Sequence, residues 1–154
     1  MDYSIVRVNK SNYQMFDDMV FFRINGCERT EPAEIQNFDM VCEALDNKNL
    51  YVFAAQWKNK FIGWISVIYI PKIGKTNGRG HLFIDELWIN PAFRKKGIAN
   101  ALMKQADALS QEINTIGLRL YVNTANDEAI SLYEKCGYAS KLGTALFMEK
   151  EWTN

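Results

Sequence analysis

Polar and apolar residues alternate from Tyr3 to Val8 (YSIVRV), which predicts a first strand. Ser11 to Gln14 (SNYQ) has the spacing of a capping box, so a helix is expected there, with Ser11 as N-cap, running to about Ile24. NGCERTEP breaks it. A second helix is expected from Ala33 to Leu45, because Ile35, Phe38, Val41, Cys42 and Leu45 fall on one face. LYVFAAQW and FIGWISVIYI, joined by KNK, read as a hairpin. After the Gly-rich, basic stretch PKIGKTNGRG comes a fourth strand, HLFIDELWI, which Pro91 stops. Helical spacing returns at Ile98, Leu102, Ala106, Leu109 and Ile113, and IGLRLYV is a fifth strand. NDEAISLYEKCG reads as a helix with Asn126 as N-cap, acids in its first turn and Gly137 at its C-terminal end. The tail, ALFMEKEW, reads as a last strand.

The order is therefore β-α-α-β-β-β-α-β-α-β. A helix joins the fourth and fifth strands, so they are expected as parallel neighbours through a right-handed crossover. The hairpin makes the rest antiparallel. The fold class is α/β (α+β), a mixed, twisted sheet with helices on both faces. The chain has 154 residues and no internal repeat or low-complexity linker, so residues 1–154 are expected to form a single domain.

Charge narrows the partners. Lys plus Arg equals Asp plus Glu, 18 against 18, which disfavours a general nucleic-acid binder. The basic positions that such a binder would use are Lys72, Lys75, Arg79 and Arg94 to Lys96. Cys27, Cys42 and Cys136 form no metal-binding motif and His81 is the single histidine, so no metal site is expected. The thiols are read as reduced. The start, MDYSIVRVNK, lacks the pattern of a signal peptide, and no apolar run reaches a membrane-spanning length. A cytoplasmic protein without membrane partners is expected.

The segment NPAFRKKGIANALMKQ carries the first chemistry. Arg94, Lys95 and Lys96 crowd against Gly97 where a helix begins, although cations are unfavourable at the positive end of the helix dipole. The first N–H groups of a helix lack internal partners and point outward. Together with Gly97 and the small Ala99, which let a ligand approach the backbone, they make a phosphate-sized anion site.

Arg94-Lys95-Lys96-Gly97-Ile98-Ala99 fits the pattern Arg/Gln-x-x-Gly-x-Gly/Ala, directly after the strand IDELWINP. About 30 residues on, NTANDEAISLYEKCGY fits Asn-x-x-Ala-x-x-x-Tyr-x-x-x-Gly-Phe/Tyr through Asn126, Ala129, Tyr133, Gly137 and Tyr138. Two signatures in this order resemble those of the GNAT superfamily of acetyl-CoA-dependent N-acetyltransferases. The resemblance is clearest from about Tyr51 to Tyr138. It implies a strongly twisted central sheet of six to seven strands. It also implies acetyl-CoA as cosubstrate, with its pyrophosphate on the turn from Arg94 to Ala99. A bulge in the fourth strand would present backbone N–H groups around Leu87, Trp88 and Ile89 to the thioester and pantetheine, between strands four and five. Asn126 would bond the pantetheine or the loop that holds it. Tyr133 would be the general acid for the departing thiolate.

Asp85 and Glu86 supply acids in an otherwise apolar strand. An ammonium is drawn to a carboxylate and must lose a proton before it attacks, so this pair suits an amine acceptor. Glu86 is preferred as base or ammonium anchor and Asp85 is second; a plain strand acid bonded to Arg119 is the alternative. No nucleophile is placed for a covalent intermediate, so direct attack in a ternary complex is expected. The stretch from Tyr51 to Ala99 is loosely similar to aminoglycoside and polyamine acetyltransferases, which implies a small cationic amine. A protein or peptide amine, or a catalytically silent acyl-CoA-binding module, stays open.

Other residues are read more plainly. His81 is expected as an exposed loop residue and Cys136 as structural. Glu28, Glu31 and Glu34 would suit the rim of a cationic-substrate site or a solvated helix end. Trp64, Trp88 and Tyr69 would pack the core or line the acceptor pocket. The last strand and Trp152 could pair across a two-fold axis to make a homodimer, and the oligomeric state is left open.

Overall fold

In the computed structural model, which describes residues 1–31, 33–140, 143 and 146–152, the alternating segments pair into one five-stranded sheet. Its strands are β1 (Ser4–Arg7), β2 (Leu50–Trp57), β3 (Lys60–Ile70), β4 (His81–Ile89) and β5 (Leu118–Leu120), in spatial order β1-β2-β3-β4-β5. Neighbours are antiparallel from β1 to β4, and β5 runs parallel to β4. The parallel pair and the hairpin, closed with Trp57 opposite Lys60, are as the sequence predicts.

The strands and the helices α1 (Tyr13–Asn25), α2 (Phe38–Asp46) and α3 (Ile98–Glu112) form one compact unit, Met1–Tyr121. On one face of the sheet, Ala54 and Trp64 join Val8, Met19 and Phe61 in a buried cluster, against which Phe16 and Val20 of α1 and Leu45 of α2 pack. The ring of Phe16 meets Trp64 edge-on at 5.4 Å. The opposite face presents Ile65, Val67, Leu82, Ile84 and Ile89, all buried. Helix α3 covers it with the buried stripe Ile98, Leu102, Met103, Ala106 and Leu109, the helical spacing expected from the sequence.

Several local expectations are corrected. The N-cap of α1 is Asn12, with no side-chain capping bond; the Ser11 hydroxyl donates to Asn9 Oδ1 instead, and Gln14 donates to Asp18. Asn9 therefore competes for the side chain that a capping box needs. Helix α2 begins at Phe38 rather than Ala33, because Asn37 sits in the left-handed region at φ 53° and cannot continue a helix backwards. Strand β5 keeps only the middle of its predicted run. His81 is not a loop residue: it opens β4, half-buried, opposite Ile70.

Gly80 is required by packing. A Cβ there would lie 1.9 Å from the carbonyl oxygen of Ile70 and 2.8 Å from Pro71 Cα. Its backbone is held in place as well, since Gly80 N–H donates to the Tyr69 hydroxyl at 3.1 Å and its carbonyl accepts from Ile116 at 2.9 Å. Gly80→Ala should therefore cost about 1–3 kcal/mol. Thermal melts read that as a fall of about 2–4 °C per kcal/mol. An unchanged melting temperature would show that the β3–β4 connection yields freely.

The second compact unit is Val122–Asn154. It holds α4 (Asp127–Lys135), with Asn126 as N-cap: its side-chain oxygen accepts from Ala129 N–H at 3.1 Å. Asp127 and Glu128 complement the positive end of the dipole, and Gly137 follows the helix at φ 88°. The predicted last strand is not formed: Leu146 to Trp152 carry no strand, and Ala145 lies outside the described residues. Leu146, Phe147, Met148 and Trp152 are exposed, so strand pairing through this tail has no strand to build on. The sheet accordingly has fewer strands than the six to seven expected.

Candidate active site

β4 carries one extra residue relative to β3. Ser66 is opposite Glu86 and Val67 is opposite Ile84, which leaves Asp85 unmatched. This is a β-bulge, and it resets the alternation. Leu82 and Ile84 before it share a face with Leu87 and Ile89 after it. Phe83 before it shares the α1 face with Glu86 and Trp88. Asp85 and Glu86 are both exposed.

The bulge lies where β5 leaves β4. Pairing ends at Ile84 opposite Leu120, whereas β4 continues to Ile89. Leu82 N–H donates to Gly117, on the β5 side, and Asn90 N–H donates to Ile62, on the β3 side. N–H direction alternates along a strand, so Leu87 and Ile89 direct theirs to the β5 side, beyond the end of the β4–β5 ladder. Parallel strands that part this way leave a slot edged by unpaired backbone, which suits an extended ligand with amide groups.

β4 leads straight into the basic turn. Asn90 accepts from Ala92 N–H, Pro91–Phe93 form a single 3-10 turn, and Gly97 caps α3 at φ 81°. The first bond into the α3 ladder is Ala101 N–H to the Gly97 carbonyl, and no side chain caps the helix. Lys95 also adopts a positive φ, 58°. A left-handed non-glycine residue costs about 1–2 kcal/mol. Left-handed residues in a turn can gather N–H groups into a concavity able to receive an anion. The cations turn back on their own turn: Arg94 Nε donates to the Ile89 carbonyl at 3.2 Å and Lys96 Nζ to the Ala92 carbonyl at 3.3 Å. Lys95 and Gly97 are exposed, Ala99 is half-buried and Ile98 is buried as the first residue of the core stripe. Cationic groups beside a glycine-capped helix start fit a diphosphate.

The acids divide. Glu86 Oε1 accepts from Arg23 of α1 at 3.0 Å, in an ion pair whose side chains are 41% and 47% exposed. Exposed pairs of this kind contribute about 0–1 kcal/mol, so the contact is readily exchanged. Arg23 also lies over the Trp64 ring, 5.1 Å from its centroid. Arg119, the partner expected for these acids, is in β5 opposite Phe83 and makes no ion pair with them among the described residues. Asp85 has no ion pair among the described residues. Sequence reasoning missed Arg23, because a partner 63 positions away leaves no local pattern. Trp64 is core, 1% exposed, and its ring packs tilted against Trp88, 5.1 Å between centroids. Glu28 is paired with Lys60 at 2.8 Å. Burial, Arg119 and Lys72 lower the His81 pKa, so its imidazole is held neutral at neutral pH.

In the second unit, Tyr133 is half-buried on α4, its ring 6.1 Å from Tyr138. Burial, and then Cys136, raise its pKa above the ordinary 10.0. The phenol therefore stays protonated through the neutral range and is able to donate. Asn126 Oδ1 is engaged in its capping bond. No group of three or more His, Cys, Asp or Glu able to hold a metal occurs among the described residues.

Comparison with known proteins bears on this geometry. The acetyltransferase (GNAT) family model matches residues 13–138. The chain is 27% identical over 113 residues to the uncharacterized N-acetyltransferase YdgE of Bacillus subtilis, covering 73% of this chain and 69% of that protein. It is 26% identical over 116 residues to the N-terminal acetyltransferase B complex catalytic subunit NAA20 of Arabidopsis thaliana, covering 66% of this chain and 63% of that one. The chain thus spans about two thirds of the length of these relatives. Its fold matches the aminoglycoside acetyltransferase meta-AAC0020 from an uncultured soil metagenomic sample, solved with trehalose, at a TM-score of 0.80 and 16% identity, over 97% of both chains. At that identity the likeness shows the fold. The family match spans far more than half of the chain, and with it the bulged strand and the glycine-capped turn acquire a common setting: the chain is an N-acetyltransferase of the acetyltransferase (GNAT) family.

Proposed function

We propose that the chain transfers the acetyl group of acetyl-CoA to a small cationic amine by direct attack in a ternary complex. The observation that carries this is the continuity of β4, slot and turn. The Leu87 and Ile89 N–H groups line the open edge beyond the β4–β5 ladder, and the same strand ends in the glycine-capped cationic turn. Pantetheine amides would bond along Leu87, Trp88 and Ile89. The pyrophosphate would sit on Arg94, Lys95, Lys96, Gly97, Ile98 and Ala99, and Arg94 and Lys96 would give up their carbonyl contacts to reach it. Asn126 would contribute a further contact through its amide nitrogen. An N–H aimed at the thioester oxygen stabilises the charge that develops there.

The amine nitrogen bonds the acetyl carbon as the carbon–sulfur bond breaks. Glu86, or Asp85, takes the amine proton, and the Tyr133 phenol protonates the departing thiolate. The family match runs through both compact units, which supports treating 1–154 as one catalytic domain. The aminoglycoside acetyltransferase of like fold supports a cationic small-molecule acceptor. The relationship to an N-terminal acetyltransferase subunit favours the second reading, a peptide amine. Three free cysteines fit a reducing, cytoplasmic setting, and among the described residues no helix is long and apolar enough to cross a membrane.

The test is release of free coenzyme A from acetyl-CoA over a panel of aminoglycosides, polyamines and peptide N-termini. Amine-dependent release is expected with at least one cationic small molecule. Release with peptides alone would replace the acceptor class. Tight acetyl-CoA binding with no release on any amine would make the chain a silent binding module.

A further inference from the structure

On the α1 face of β3, two polar atoms have no hydrogen-bond partner among the described residues: Trp64 Nε1 and Ser66 Oγ, each shielded from solvent. The residues are 1% and 9% exposed. Buried polar groups are nearly always paired, so two orphans on one face call for a partner that the described residues do not provide. Both lie at the candidate acceptor end. Ser66 is directly opposite Glu86, and Trp64 directly opposite Trp88, so the four side chains share one face. Arg23 covers this corner, bonded to Glu86 at 3.0 Å and lying 5.1 Å above the Trp64 ring.

The chemistry of the corner defines what would replace Arg23. Glu86 accepts hydrogen bonds and carries negative charge, so it takes an ammonium. The indole N–H is only a donor, and the serine hydroxyl is donor and acceptor. A hydroxyl or ether oxygen, with its lone pairs, can accept from either donor. We propose that Arg23 is a stand-in for the ammonium of the acceptor, and that the acceptor displacing it is an amino alcohol or amino sugar whose oxygen bonds Ser66. This rests on the acetyl-transfer reading and adds the acceptor's second functional group. Displacing Arg23 exchanges one exposed cation for another on Glu86, so the uncovering of Trp64 and Ser66 has little Coulombic cost. Arg23 and Ser66 are specificity-determining residues; neither exchanges a proton with the reacting atoms.

Calorimetry without acetyl-CoA separates this from the transfer chemistry. The probes are trans-2-aminocyclohexanol and cyclohexylamine, which differ only by a hydroxyl. The wild-type protein should bind the amino alcohol about 3–10-fold more tightly, the worth of one net hydrogen bond. Ser66→Ala should erase that preference while leaving the fold intact or more stable, because an unsatisfied hydroxyl is gone. Ser66→Thr should keep the preference. Arg23→Gln should tighten both probes, since their competitor is removed. Equal affinities in the wild type, no binding of either probe, a preference that survives Ser66→Ala, or weaker binding in Arg23→Gln each overturns the proposal. The wild-type comparison needs no variant to fold. Acetyl transfer to amines with no preference for the hydroxyl would sink only this inference, and absence of transfer would sink only the reading beneath it.

Discussion

Tyr133→Phe lowers turnover by about 10²–10⁴-fold, the usual worth of a positioned general acid, and leaves acetyl-CoA affinity nearly unchanged. The substitution removes one oxygen and keeps the ring that packs 6.1 Å from Tyr138, so α4 retains its apolar contacts. The pH profile separates catalysis from packing. Only the protonated phenol donates, and burial raises its pKa from 10.0, with Cys136 adding to the shift. The acid-competent form therefore persists through the neutral range, and the loss of turnover due to Tyr133 falls above pH 10.0. Stability follows the same sign: a tyrosine raised in the folded state favours folding less as pH climbs past its ordinary value, because the unfolded chain ionises first. Stopped assays of turnover against pH, with calorimetry of acetyl-CoA on the variant, check both parts. Unchanged turnover on the true acceptor means that Tyr133 is not the acid.

Gly97→Asp is expected to weaken acetyl-CoA binding by about 100-fold, through lost charge-assisted contacts worth about 1.5–3 kcal/mol and a new negative charge beside the pyrophosphate. The same change should cost folding only about 1–2 kcal/mol, the strain of a non-glycine residue at φ 81°. A Cβ at Gly97 meets nothing within 4 Å. Aspartate tolerates the left-handed conformation better than most residues. Its carboxylate suits a helix N-terminus that has no side-chain cap. A turn that exists only to start α3 would thus leave acetyl-CoA affinity untouched by this substitution, whereas a turn that holds phosphate would lose it. Thermal melts and acetyl-CoA titrations on one preparation distinguish the two. Full affinity in Gly97→Asp would move the anion site elsewhere.

Much of this site was legible because its physics is local. The largely apolar run HLFIDELWI marked β4, Pro91 stopped it, and the stripe from Ile98 set α3 after Gly97, all as the residues predict. The N-cap of α4 was legible for the same reason. What was lost depends on distant partners. Strict alternation puts Asp85 and Glu86 on opposite faces; only the register against Ser66 and Val67 shows that Asp85 is the extra residue. The GNAT resemblance, rather than the local pattern, anticipated that bulge. The Arg23–Glu86 pair joins α1 to β4 and has no signature in either segment. Ser11 lost its capping role to a competing bond with Asn9, and the apolar spacing of residues 33–37 outweighed, on paper, the conformation of Asn37. The tail reads as a strand by pattern, but a strand needs a neighbour to pair with, and that is not written in its own residues.

The central claim is that acetyl-CoA lies along the open edge of β4 and on the turn before α3. Backbone amide chemical shifts, recorded as acetyl-CoA is added, test it residue by residue. The account predicts that the largest changes fall on Leu87, Ile89, Ile98 and Ala99, and that Gly97→Asp abolishes them at the same ligand concentration. Saturable binding with these four amides unmoved would contradict it.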